Sequence, residues 1–147
     1  MSVAELIPVL QVAVGPVVLI SGVGLLILSM TNRLGRVIDR GRSLGRELAE
    51  LPAEGRAGVS KQLQILTRRA GLLRRAIVLA TFCVLLSAVL IIALFFTAAL
   101  QLEDAWLIGG LFVAAMACLI VSLIAFIQEL DQSLIAFRLD LDGQEES

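Results

Sequence analysis

The chain has no histidine and no tyrosine, and only two of its 147 residues are cysteine. Without histidine there is no Ser-His-Asp triad, no Cys-His pair and no HExxH zinc site. Cys83 and Cys118 each stand alone in a long apolar run, so they form no thiolate metal cluster and read as small packing residues. No catalytic, cofactor-binding or metal-binding residue is therefore expected, and the chain is not read as an enzyme. Charge is scarce as well: 17% of residues are charged and 59% are hydrophobic. A soluble domain carries about 25% charged and about 45–50% apolar residues. With a mean hydropathy of +0.95, this composition leaves too little charge to cover a surface in water. It points to a membrane protein.

The charges that exist are unevenly placed. None occurs between Glu5 and Arg33, between Arg75 and Glu103, or between Asp104 and Glu129, leaving gaps of 27, 27 and 24 residues. A spanning helix needs roughly 20 apolar residues, so each gap can cross a bilayer. The spacing predicts spans at about 7–30, 76–100 and 105–128. The first gap follows an acid, not a basic cluster, and is long for a signal peptide. It reads as a retained span.

The segment 31–75 holds eleven of the twelve basic residues against four acids, a net charge of +7. The short connection Gln101–Asp104 has two acids and no basic residue. The positive-inside rule then puts 31–75 in the cytoplasm and the N-terminus outside. Three spans put the acidic tail, about 129–147, in the cytoplasm too. Trp106 fits an interfacial anchor beside the outer turn. One domain, 1–147, is expected.

The basic segment has its own pattern. Leu34, Val37, Gly41, Leu44, Leu48 and Leu51 recur at steps of three and four, and Val59, Leu63, Leu66, Ala70, Leu73 and Ile77 repeat the rhythm. Pro52, Gly55 and Gly58 break the chain between them. This predicts an all-α fold: three transmembrane helices whose extensions form a cytoplasmic, antiparallel, coiled-coil-like hairpin at about 31–75. The first helix should end near Glu50 and the second start near Val59, with Ser60 near its cap. Phe126, Leu130, Leu134, Phe137 and Leu141 carry a third apolar stripe past Glu129. Gly41 and Gly45 weaken the first arm by about 1 kcal/mol each relative to alanine, and read either as a close helix approach or as a hinge.

One face of the first helix is small and polar: Gln11, Gly15, Val18, Gly22, Leu25, Ser29, Asn32, Arg36 and Arg40. It lies roughly opposite the Leu34–Leu48 seam. Three readings stay open: a helix-packing face, a pore lining in a ring of subunits, or a weakly polar face near headgroups. In a pore, Gln11 would mark the outer mouth, Val18 and Leu25 apolar constrictions, and Arg36 and Arg40 basic inner rings. Pro16, inside the same span, should kink the helix. Gly110, Ala114, Cys118 and Ser122 form a small-residue ridge suited to packing in lipid. Two such faces on three helices point to a homo-oligomer.

Arginine supplies nearly all the basic charge. Arg33, Arg74 and Arg75 are candidates for lipid headgroup contact. Asp39, Glu47, Asp131, Asp140 and Asp142 are candidate carboxylate partners for arginine. Acids are mixed into the basic segment and aromatics are missing from it, so nucleic acid is not an expected partner. Membrane lipids are, and a cytoplasmic protein partner stays open.

The stretch TNRLGRVIDR, residues 31–40, following a span that contains proline and glycine, resembles a bacterial family of three-span membrane proteins known only as a domain of unknown function. The likeness covers nearly the whole chain. It implies a bacterial inner-membrane location and draws attention to Thr31, Asn32, Arg33, Arg36, Asp39 and Arg40. It implies no activity. Two functions therefore stand as expectations: a pore or ion channel lined by the first span, or a non-conducting scaffold whose cytoplasmic bundle binds a partner or lipid.

Overall fold

Leu51 precedes a proline, which disfavours the helical region for it, and the chain leaves its first helix there. In the computed structural model α1 spans Val3–Glu50, a short 3-10 turn spans Ala53–Gly55, α2 spans Arg56–Leu100 and α3 spans Ala105–Glu145. The structure describes residues 3–101 and 105–145, with side chains for these apart from Glu5 and 135–145. Among the described residues there is no strand. The expected outer turn lies mostly outside the described residues, as do the side chains of Phe137, Leu141, Asp140 and Asp142.

The turn after α1 satisfies its own backbone. Leu51 N–H donates to Glu47 O at 3.1 Å and Gly55 N–H to Pro52 O at 3.1 Å. Arg56 Nε donates to Leu51 O at 2.9 Å, which caps a carbonyl left open at the helix end. α2 starts at Arg56, three residues before the expected Val59, so Ser60 lies inside the helix and is not its cap. At the other end of α2, Gln101 has φ 51°. A left-handed residue just past the last helical one is a common helix stop, usually taken by glycine.

α1 runs unbroken past Pro8 and Pro16 and through Gly41 and Gly45. A Cβ on Gly41 would lie 4.0 Å from Leu63 Cδ1, an ordinary contact, and one on Gly45 would meet nothing within 4 Å. The backbone there is continuous helix.

The helices contribute to two compact units, one built from 1–28 and 78–122, the other from 29–77 and 123–147. In the first unit, Val23, Ala80, Cys83 and Ala115 form the buried centre, with Leu19, Ile27 and Met116 among the residues packed on it. Three of those four are small, which lets backbones approach closely where no water drives association. Ser87 is buried there and its hydroxyl donates to Cys83 O at 2.8 Å. That bond inside its own helix satisfies a polar group that would otherwise be stranded.

The second unit buries Met30, Val37 and Leu44 from α1, Leu73 and Ala76 from α2, and Glu129 from α3. Met30, Val37 and Leu44 are seven residues apart, as are Ala115, Ser122 and Glu129 on α3. Burial at seven-residue steps is what an apolar stripe averaging 3.5 residues per turn produces. Of the expected cytoplasmic stripe, Val37, Leu44 and Leu73 are buried, and Leu34, Gly41, Leu48, Val59, Leu63, Leu66, Ala70 and Ile77 are half-buried.

All three helices are long and apolar enough to cross a membrane, yet only 11, 22 and 17% of their apolar windows are buried within the chain. Leu85, Phe96 and Val113 are each more than half exposed. So much continuous apolar surface is sustained by lipid, not water. The chain is an all-helical, multi-pass membrane protein.

Candidate functional site

Among its described residues the second unit contains one fully buried acid. Glu129 sits on α3 after 24 uncharged residues, at a seam position where Ser122 and Ala115 precede it. A carboxylate removed from water must be paired and hydrogen-bonded. Two arginines do this, one from each of the other helices. Arg69 of α2 reaches Glu129 Oε1 with Nε at 3.2 Å and with Nη2 at 2.9 Å. Arg33 of α1 places Nη2 3.0 Å from Oε2. That is an ion-pair distance without hydrogen-bond alignment, so Oε2 accepts no formal hydrogen bond.

The α3 face around Glu129 supports the same two arginines. Phe126, three residues before, lies under Arg33, with Cζ 5.5 Å from the ring centroid. Ser133, four residues after, accepts from Arg69 Nη2 at 3.1 Å. Helical spacing brings Phe126, Glu129 and Ser133 to one side of α3. The carboxylate is 0% exposed, while the Arg33 and Arg69 side chains keep 26% and 16% of their surface open. The charges are thus graded from a dry carboxylate to half-wet guanidiniums.

Beside this clamp lies a cavity of about 300 Å³, lined by Arg33, Arg36, Val37, Arg40, Leu66, Arg69 and Ser133. Four of its seven lining residues are arginine. Arg36 and Arg40 are exposed, and neither joins an ion pair with an acid among the described residues.

All nine residues of the polar face of α1 are exposed. In the first unit Gln11, Gly15, Val18, Gly22 and Leu25 are exposed, and in the second unit so are Ser29, Asn32, Arg36 and Arg40. None of the nine is covered by the chain's own helices. The ridge on α3 divides: Gly110 and Ala114 are exposed, Cys118 is half-buried and Ser122 is buried. A four-residue step drifts around a helix by about 40° per repeat at 3.6 residues per turn, so a long four-step row cannot keep to one face. Among the headgroup candidates, Arg74 and Arg75 are exposed, whereas Arg33 turns to Glu129.

The arginine partner differs from the expected ones. Asp39, Glu47 and Asp131 are exposed and make no ion pair among the described residues. Glu129, Arg69 and Ser133 were not singled out by the sequence reading. A signal for Glu129 was present: it is the charge that closes the third gap, as Arg33 closes the first. Seven-residue steps from Ala115 through Ser122 lead straight to it.

The model of a family described as a protein of unknown function (DUF2721) matches residues 13–139. This agrees with the resemblance drawn from TNRLGRVIDR and its surroundings. No curated protein and no solved structure matches the chain.

Proposed function

The chain belongs to the DUF2721 family of unknown function, and on that premise we propose that it is a homo-oligomeric membrane pore lined by the polar face of α1. The observation that carries this reading is Gln11. It is exposed on a membrane-spanning helix, and no hydrogen bond reaches it among the described residues. An amide facing hydrocarbon is costly and seeks a polar partner. A second copy of the chain, or water along an axis, supplies one. Eight further exposed positions follow Gln11 on the same side of α1. The other side of α1 is already used at Val23, Met30, Val37 and Leu44.

In this reading the protein lies in a bacterial inner membrane, with its N-terminus outside and its arginine-rich unit in the cytoplasm. The charge bias of segment 31–75 supports that orientation. Its work is conduction or binding, not catalysis. The apolar positions Val18 and Leu25 would act as constrictions, and Arg36 and Arg40 as basic inner rings that favour anions.

A second reading has its own support. The clamp at Glu129 ties three helices into an arginine-rich body suited to a scaffold that holds a cytoplasmic protein or lipid through a coiled-coil-like bundle. Ion flux separates the two. Purified protein in liposomes, loaded with a chloride-sensitive dye, should show flux that a Leu25→Trp substitution reduces. Absence of flux under voltage, tension and pH changes would leave the scaffold.

A further inference from the structure

The cavity beside the Glu129 clamp is over-supplied with positive charge. Arg33, Arg36, Arg40 and Arg69 line it, and Glu129 is the one acid paired to any of them among the described residues. Glu129 engages Arg33 and Arg69 together, so one negative charge answers two positive ones. Arg36 and Arg40 are then added with no acid of their own. Four guanidiniums against one carboxylate leave three uncompensated charges around about 300 Å³ of space. Such an arrangement is self-repelling, and an anion inside it relieves the repulsion.

We propose that this cavity is a binding site for a phosphate group, carried either by an anionic lipid headgroup or by a free phosphate ion. The chemistry of the lining selects phosphate. Guanidiniums present several N–H donors in a rigid fork. They approach from α1 at Arg33, Arg36 and Arg40 and from α2 at Arg69. A planar carboxylate is satisfied by one such fork. A tetrahedral phosphate offers oxygens in several directions and can engage guanidiniums on different sides at once.

The clamp prepares the site. Arg69 is held by Glu129 and Ser133 through Nε and Nη2, which fixes its plane and leaves Nη1 unused by them. Arg33 is held between Glu129 and the Phe126 ring. Two of the four cationic walls are therefore ordered before any ligand arrives, which lowers the entropic cost of binding. Arg36 and Arg40, one helical turn apart on α1, are the adaptable pair. The volume lies at the small end of ligand cavities, which run from about 300 to 1,000 Å³, so a headgroup-sized ion fits it. Basic pockets among membrane helices are a known class of site for phosphorylated headgroups.

The test uses the full chain in detergent, the double variant Arg36→Gln/Arg40→Gln, and the control Arg42→Gln/Arg46→Gln, which removes the same charge from exposed positions of α1 outside the cavity. One arm titrates inorganic phosphate at constant ionic strength by calorimetry. The other counts phosphatidylglycerol retained by native mass spectrometry after extraction from vesicles of phosphatidylglycerol and phosphatidylcholine. The expected result is saturable binding in at least one arm, weakened roughly tenfold or more in the cavity variant and little changed in the control. Binding in the phosphate arm assigns the free ion, and binding in the lipid arm alone assigns the headgroup. Binding in neither arm overturns the proposal. Equal weakening by both variants overturns it too, because the attraction would then be a property of the surface charge.

Discussion

Arg69 and Glu129 stand sixty residues apart in the chain and meet at 2.9 Å, guanidinium to carboxylate, with the carboxylate fully shielded from solvent. Removing one partner of a buried pair leaves the other charge stranded, which costs about 3–5 kcal/mol. Arg33 stays 3.0 Å from Glu129 Oε2, so Arg69→Ala should destabilise the detergent-solubilised protein by less than that, about 1–3 kcal/mol, read as a lowered denaturation midpoint. Replacing both partners, as Arg69→Met/Glu129→Leu, should recover most of the loss. Equal instability of the single and double variants would contradict the pairing as the cause.

Gln101 holds a left-handed conformation at the end of α2. Such a conformation costs a residue with a Cβ roughly 1 kcal/mol or more, and glycine bears no such penalty. Gln101→Gly should stabilise the chain by about 0.5–1 kcal/mol, read as a raised thermal midpoint. A lowered midpoint would show that the Gln101 side chain contributes more than its backbone costs.

Gly41 and Gly45 lie inside an unbroken helix with room for a methyl group. Gly→Ala within a helix gains about 0.5–1 kcal/mol. Both single substitutions should raise stability, with Gly41→Ala adding a contact to Leu63. Unchanged stability together with lost flux would instead identify these glycines as a working hinge.

The centre of the membrane-spanning unit depends on small residues. Ala80 and Cys83 are fully buried, and Ala115 nearly so. Enlarging a packed site costs about 1–3 kcal/mol, so Ala80→Leu should destabilise the chain by that order. Ala114→Leu, on the exposed side of α3, should not destabilise the chain itself. Denaturation in mild detergent compares the two directly.

Much of the architecture was legible because charge and apolar spacing act locally. The three uncharged gaps fall in the three helices that are long and apolar enough to cross a membrane, and Pro52 with Gly55 located the break after Glu50. The seven-residue rhythm correctly marked Val37, Leu44 and Leu73 as buried. The clamp was not legible in the same way. Asp39, Glu47, Asp131, Asp140 and Asp142 had comparable claims on the arginines, yet the packing of α3 buries a sixth acid, Glu129. Among the acids whose side chains are described, Glu129 is the buried one, in register with Ala115 and Ser122. The four-residue step of the α3 ridge turns that row from exposed Gly110 to buried Ser122, as 3.6 residues per turn requires.

The central claim is that the uncovered face of α1 meets water in the assembled protein. Thiol accessibility tests it most directly. Single cysteines at Gln11, Val18, Leu25 and Ser29 are compared with cysteines at the lipid-exposed positions Phe96 and Val113, in a chain with Cys83 and Cys118 replaced by alanine. A membrane-impermeant, channel-sized thiol reagent is applied to protein in liposomes. The account predicts rapid modification at the four α1 positions, with loss of flux, and slow modification at Phe96 and Val113. Protection of all four α1 positions, with labelling no faster than at the lipid-facing controls, would contradict it.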